Sequence, residues 1–249
     1  GNLLRAFAID IRPVPGEGVA GGGRIPCAPA RRGDRRVVKL PGDHPPASTG
    51  LPQFADAALR GVLPRIAGEL MGTDEPRFFH EHVLVKEPGT ATPTPWHHDE
   101  PYYGVEGMQN VSLWVPLDPV PSSIALRCIR GSHLVPRRFI PNRFVDDSPY
   151  VAQAAGFELF PTVDELESLG ESVVCTAQPG DVVAFHFRTL HSAPGTVDHP
   201  LRRRIVSFRY VGDDARWITR PWKTSPPFEP QGLTDGDVLD DARFPRVLL

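Results

Sequence analysis

Trp96-His97-His98-Asp99-Glu100-Pro101-Tyr102-Tyr103 is the stretch whose reading decides how the rest of this chain is organised. In an extended backbone the side chains at i and i+2 point to one face, so His97 and Asp99 can both reach a single ion while His98 turns away. An imidazole nitrogen and a carboxylate oxygen make two thirds of a facial 2-His-1-carboxylate ligand set, which leaves positions on the metal open for other groups. The third ligand must come from a distant part of the chain.

The best-placed residue for it is His191. Pro179-Gly180-Asp181 reads as a turn, Val182 to Phe187 as a short apolar strand, and His191 follows that run, where it can close onto the first pair. An isolated H-x-D is a weak signal, and its weight comes from the segments around it. Those segments are mostly strands. Phe78 to Lys86 alternates, with His80, His82, Leu84 and Lys86 on one face and Glu81, Val83 and Val85 on the other. Val111, Leu113, Val115 and Leu117 form an aliphatic face opposite Ser112 and Trp114, and Ile124 to Ile129, Ser172 to Ala177 and Ile205 to Val211 read as further strands.

Helical periodicity is confined to two places. From Leu51 to Met71 the apolar residues Phe54, Ala58, Leu59, Val62, Leu63, Ile66, Leu70 and Met71 fall at three- and four-residue intervals and predict one helix lying against a sheet. A second, short helix is expected around Val163 to Leu169. Pro13 to Gly50 is rich in Pro, Gly and Arg and reads as an irregular arm, either a surface segment or a lid over the site. Residues 136–170 read as a variable excursion. Two packed four-stranded sheets in one domain spanning 1–249 would bring the H-x-D segment and His191 to one mouth. The expected fold is therefore mainly β, a double-stranded β-helix or cupin-like jelly roll with a few flanking helices.

Taken in order, Val85-Lys86-Glu87-Pro88-Gly89, Pro95 to Asp99, Ser112 to Asp118, Ala125 to His133, Gly180 to His191 and Arg203 to Asp214 resemble the core of the phytanoyl-CoA dioxygenase family of Fe(II)/2-oxoglutarate oxygenases. The resemblance implies Fe(II) held by His97, Asp99 and His191, with 2-oxoglutarate and O2 as cosubstrates. It implies hydroxylation of a small molecule with release of succinate and CO2. Family relatives that halogenate lack the carboxylate, so Asp99 argues for hydroxylation or a related two-electron oxidation. The positions of His82, Lys86 and Trp114 correspond to family positions near the cosubstrate. The residue between the ligands is often glutamine in relatives and is His98 here.

A keto diacid chelating a metal through one end needs a cation at the other, and a planar guanidinium meets a carboxylate with two parallel hydrogen bonds. Arg202-Arg203-Arg204 supplies the choice. Eleven residues past His191, the usual family interval, stands Arg202. The register of the strand ending Ser207-Phe208-Arg209-Tyr210 selects Arg203, and it is preferred because a slip within a strand turns every side chain over. On that register Arg203, Ile205, Ser207 and Arg209 share a face, and Arg202 and Arg204 are solvated neighbours.

Net charge bounds the alternatives. At −3 over 249 residues there is no basic field to recruit nucleic acid or an anionic membrane. No run of about 18 apolar residues exists to span a bilayer. Cys27, Cys128 and Cys175 are too few and scattered for a disulfide framework and fit a reducing cytoplasm. No signal peptide is in view, and the chain opens Gly1-Asn2 and not with Met, as a processed or truncated start would. No motif speaks to self-association. Two competing readings stay open: an inert jelly-roll binding protein, and a cupin-type metal enzyme that does not use 2-oxoglutarate.

Overall fold

A computed structural model describes residues 5–9, 52–197 and 199–247, with residues 5–9 described as backbone only. The predicted irregular arm, residues 13–50, lies outside the described residues. Among the described residues eleven strands, three α-helices and short 3-10 turns follow one another as β1 (Arg5–Ile9), α1 (Pro52–Leu59), α2 (Val62–Met71), β2 (Arg77–Lys86), β3 (Thr94–His97), β4 (Val105–Glu106), β5 (Asn110–Pro116), β6 (Leu126–Ile129), α3 (Val163–Glu167), β7 (Ser172–Cys175), β8 (Asp181–Phe185), β9 (His191–Ala193), β10 (Arg203–Val211) and β11 (Arg216–Trp217). This is the mainly β, jelly-roll architecture read from the sequence.

Two sheets make the body. The larger has the order β1-β8-β5-β10-β2 and the smaller β3-β9-β6-β7, with β4 and β11 as a separate pair. The larger sheet therefore has five strands where four were expected. The fifth is β1, which adds to β8 in parallel at the edge. β7 and β8 flank the Pro-Gly-Asp turn but belong to different sheets, so that turn carries the chain across the sandwich. Gly180 sits there at φ 96, in the region that favours glycine, and Asp181 accepts the Gln178 amide at 2.7 Å.

The predicted single helix over 51–71 is two. Gly61 adopts an extended conformation and caps α2, whose third residue is Pro64. In one continuous helix Pro64 would remove a hydrogen bond to Arg60 and crowd its carbonyl; in the first turn of a new helix its missing N–H has no partner to lose. α2 ends at Gly72, left-handed at φ 70, whose amide donates to Gly68 O at 2.8 Å.

Period-2 alternation divides the core into layers. On the outer face of the larger sheet Val111, Leu113, Val206, Phe208 and Tyr210 pack against Ala58, Leu63 and Ala67 of the two helices. Truncating the fully buried Leu113 to alanine would cost about 2–5 kcal/mol. The inner face carries Trp114, Phe185 and Ile205 against Leu126, Cys128 and Ala193 of the smaller sheet. Along β10 the same alternation turns Arg203, Ser207 and Arg209 toward the interior, in register with Lys86, His82 and His80 of β2.

Candidate metal centre

β3 and β9 lie antiparallel with His97 directly opposite His191, so the sheet register itself brings the two imidazoles together, with ring centroids 4.1 Å apart. Asp99 arrives differently from the expectation. β3 ends at His97, and Asp99 has α-helical dihedrals (φ −72°, ψ −36°) at the head of a 3-10 turn over Glu100–Tyr102. Its carboxylate still faces the histidines: Oδ1 lies 3.8 Å from His97 Nε2 and 3.9 Å from His191 Nε2. One donor atom from each of the three residues lies within 4.8 Å of the others, the size of a cluster that could close around one ion.

Hydrogen bonding has already assigned the donor atoms. His97 Nδ1 is 2.8 Å from the Pro95 carbonyl and His191 Nδ1 is 2.8 Å from the Thr189 carbonyl. Each carbonyl requires an Nδ1–H and leaves the Nε2 lone pair for a metal. Burial, reinforced by His191, lowers the His97 pKa to about 3. Burial likewise lowers that of His191. Both rings are thus neutral at ordinary pH, the state a metal ligand requires. Burial alone would raise the Asp99 pKa, but the Arg209 guanidinium, then His191 and His97, hold it well below the usual carboxylate range. Two neutral imidazoles and one carboxylate, all buried, fit Fe(II).

His98 lies outside the cluster of donor atoms, although the backbone from His97 to Asp99 is not the extended one that even spacing assumed. It is buried, its Nε2 lies 3.4 Å from the Phe139 carbonyl, and its ring packs edge-on to Phe139 at 5.5 Å. It therefore ties the H-x-D segment to the 136–170 excursion. The same excursion brings Phe144, half exposed, to 4.8 Å from the His97 ring, beside Tyr102.

Arg203 turns inward and is buried, with Nη1 donating to the Ile124 carbonyl. Lys86 stands opposite it, donating to the Pro194 carbonyl at 3.1 Å. No carboxylate among the described residues is paired with either, which leaves a cationic end to the barrel of the kind a dianion's remote carboxylate fits. Burial lowers the Arg203 pKa to about 10; burial and Arg203 together bring that of Lys86 to about 7. His82 lies on the same inner face opposite Ser207, and Trp114 opposite Ser207 from the other side, buried in the inner core. Arg202 and Arg204 are not the solvated neighbours expected. Arg202 Nε pairs with Glu87 at 2.8 Å, and Arg204 forms a two-point pair with Asp118 at 2.7 and 2.9 Å. Both acids sit on neighbouring strand ends, a proximity set by sheet pairing and not by spacing in the chain.

Sequence reasoning missed the role of Arg209 and Ser112. Both touch Asp99, and the signal lay in the alternation: an arginine facing a barrel interior needs an acid to meet it.

The pattern of the phytanoyl-CoA dioxygenase (PhyH) family matches residues 41–203. Among solved structures, the chain resembles the non-haem α-ketoglutarate-dependent epimerase SnoN from nogalamycin biosynthesis in complex with Fe3+, α-ketoglutarate and nogalamycin RO. That match has a TM-score of 0.62 and 22% identity over 81% of this chain and 76% of SnoN. It also resembles the α-ketoglutarate-dependent carbocyclase SnoK from the same biosynthesis, with a TM-score of 0.60 and 24% identity over 79% and 72% of the two chains. At these identities the likeness is one of fold. No curated protein sequence matches.

Proposed function

This chain belongs to the phytanoyl-CoA dioxygenase family of Fe(II)/2-oxoglutarate-dependent oxygenases, and from that premise we propose that it oxidises an unactivated C–H bond of a small molecule, by hydroxylation, through a centre built on His97, Asp99 and His191. The observation that carries the reading is the convergence of two Nε2 atoms and one Oδ1 whose partner atoms are already engaged. When bound, Fe(II) with 2-oxoglutarate and O2 supplies the oxidising power, consuming the keto acid to succinate and CO2.

The chain's own residues do the rest. Arg203, with Lys86 beside it, binds the remote carboxylate of the cosubstrate, and Trp114 and His82 wall its path. Arg202, held by Glu87, is the less suited of the two arginines. Burial of all three ligand side chains keeps bulk water from the reacting atoms. Phe144 and Tyr102 border the His97 ring and form one side of the substrate approach. The chain acts as one catalytic domain on a small molecule and not on nucleic acid. No helix among the described residues is long and apolar enough to cross a membrane. Cys128 and Cys175 are free thiols whose sulfurs lie 4.0 Å apart across the β6–β7 pair.

The test is an anaerobic titration of the apo protein with Fe(II) and 2-oxoglutarate. A weak visible charge-transfer band is expected in the wild type and absent in Asp99→Ala. A well-folded wild type without the band would refute the cosubstrate assignment.

A further inference from the structure

We propose that Arg209 is a positioning residue that makes Asp99 a one-oxygen ligand. The inference rests on the reading of His97, Asp99 and His191 as the metal centre. Arg209 lies near the end of β10, on the inward face, and is 4% exposed. Its Nε and Nη2 donate to the same oxygen of Asp99, Oδ2, at 3.2 and 3.1 Å, while Nη1 donates to the Ser207 carbonyl at 3.2 Å. Ser112 Oγ adds a third donor to Oδ2 at 3.0 Å. The Tyr103 ring lies against the guanidinium, 5.5 Å from its carbon, which limits where the fork can go.

The two oxygens of a carboxylate are chemically alike, and here the fold makes them different. Oδ2 receives three donors, two of them from a cation. All three of these donors end on Oδ2, the Tyr103 side chain also interacts with the carboxylate, and Oδ1 faces both histidine Nε2 atoms. A carboxylate without such partners can turn about its terminal torsion, which is broad for aspartate, and offer both oxygens. That second bond would occupy one of the three positions a facial triad leaves open. Two of those are needed by a chelating keto acid and one by O2. Arg209 and Ser112 therefore preserve the third position by engaging Oδ2. Arginine suits the task because its planar fork directs two donors to one oxygen while a third nitrogen anchors it to the backbone.

Nitric oxide, which binds Fe(II) where O2 would, reads this position without turnover. Fe(II) and 2-oxoglutarate are added anaerobically to wild type, Arg209→Met, Arg209→Lys and Ser112→Ala, followed by nitric oxide, and the nitrosyl signal is measured by electron paramagnetic resonance. In Arg209→Met the charge-transfer band is expected to persist, with Fe(II) binding about 10–100-fold weaker, while the nitrosyl signal in the presence of 2-oxoglutarate falls about 10-fold or more. Arg209→Lys should recover part of it, and Ser112→Ala should shift in the same direction by less. Should Arg209→Met not fold, Ser112→Ala carries the test. A nitrosyl signal equal to wild type in the folded variants overturns the inference while leaving the oxygenase reading intact. Absence of both band and nitrosyl signal in the wild type overturns that reading and this one with it.

Discussion

Lys86 and Arg203 stand directly opposite each other across β2 and β10, two cations on the inner face with no carboxylate among the described residues paired to either. Burial and the neighbouring Arg203 bring the Lys86 pKa to about 7. Such a lysine is mostly neutral at pH 8 in the folded protein and charged in the unfolded chain. The unfolded state therefore binds more protons between pH 7 and 10.5, and this group's contribution to stability rises with pH across that window.

A dianion docking beside it reverses the preference. Binding of 2-oxoglutarate at pH 8 should draw a proton onto Lys86. Calorimetric titrations in buffers of different ionisation enthalpy should report uptake approaching one proton per ligand, and Lys86→Met should abolish it. An unchanged proton count in Lys86→Met would separate Lys86 from the cosubstrate.

Arg203 and Arg202 are expected to differ in function although adjacent. Replacing Arg203 by methionine removes a buried charged donor pair to the cosubstrate carboxylate and should weaken 2-oxoglutarate binding by about 2–5 kcal/mol, or at least about 30-fold. Arg202→Met loses a largely covered pair to Glu87 at a strand end and should leave that affinity within about 3-fold, with a stability cost of about 1 kcal/mol. Equal losses of affinity in the two variants would mean that the register argument has chosen wrongly.

Acid should destabilise the apo protein earlier than its carboxylates alone would. Burial lowers the pKa of both His98 and His186 to about 3. Between about pH 6.5 and 3 the unfolded chain holds a proton on each that the folded chain does not, so stability falls as pH falls through this window. Each residue contributes a slope of about 1.4 kcal/mol per pH unit. Urea midpoints measured from pH 7 to 5 should decline steadily, and His98→Gln should flatten part of the decline. A flat profile in the wild type would contradict the burial seen here.

Metal affinity should be insensitive to pH where histidine ordinarily titrates. Burial brings the His97 pKa to about 3 and lowers that of His191, so at pH 6 His97 has no proton to release and His191 binds one less readily than a free imidazole does. Dissociation constants for Mn(II), an oxidation-resistant stand-in, should agree within about 3-fold between pH 6 and 8. A tenfold loss at pH 6 would show that at least one imidazole is protonated in the free protein.

Much of this was legible in the residues. Strand alternation correctly assigned the inner and outer faces of β2, β5 and β10, because a half-buried strand has only two sides. The helix over 51–71 was misjudged since its apolar stripe runs through Gly61 and Pro64, and periodicity counts side chains while the break belongs to the backbone. The Asp99 conformation was misjudged for a related reason: i and i+2 share a face in a strand, but β3 stops at His97 and a turn delivers the carboxylate instead.

By itself the sequence determined the candidate ligand types, the strand faces and the inward arginine, all local consequences of residue chemistry and period. The tertiary structure decided which atoms those residues offer. That His97 lies opposite His191, that Arg202 is taken by Glu87 while Arg203 is not, and that Arg209 claims one oxygen of Asp99 across 110 residues of chain, all follow from strand register. Register is set by the packing of whole sheets, and no spacing within a single segment encodes it.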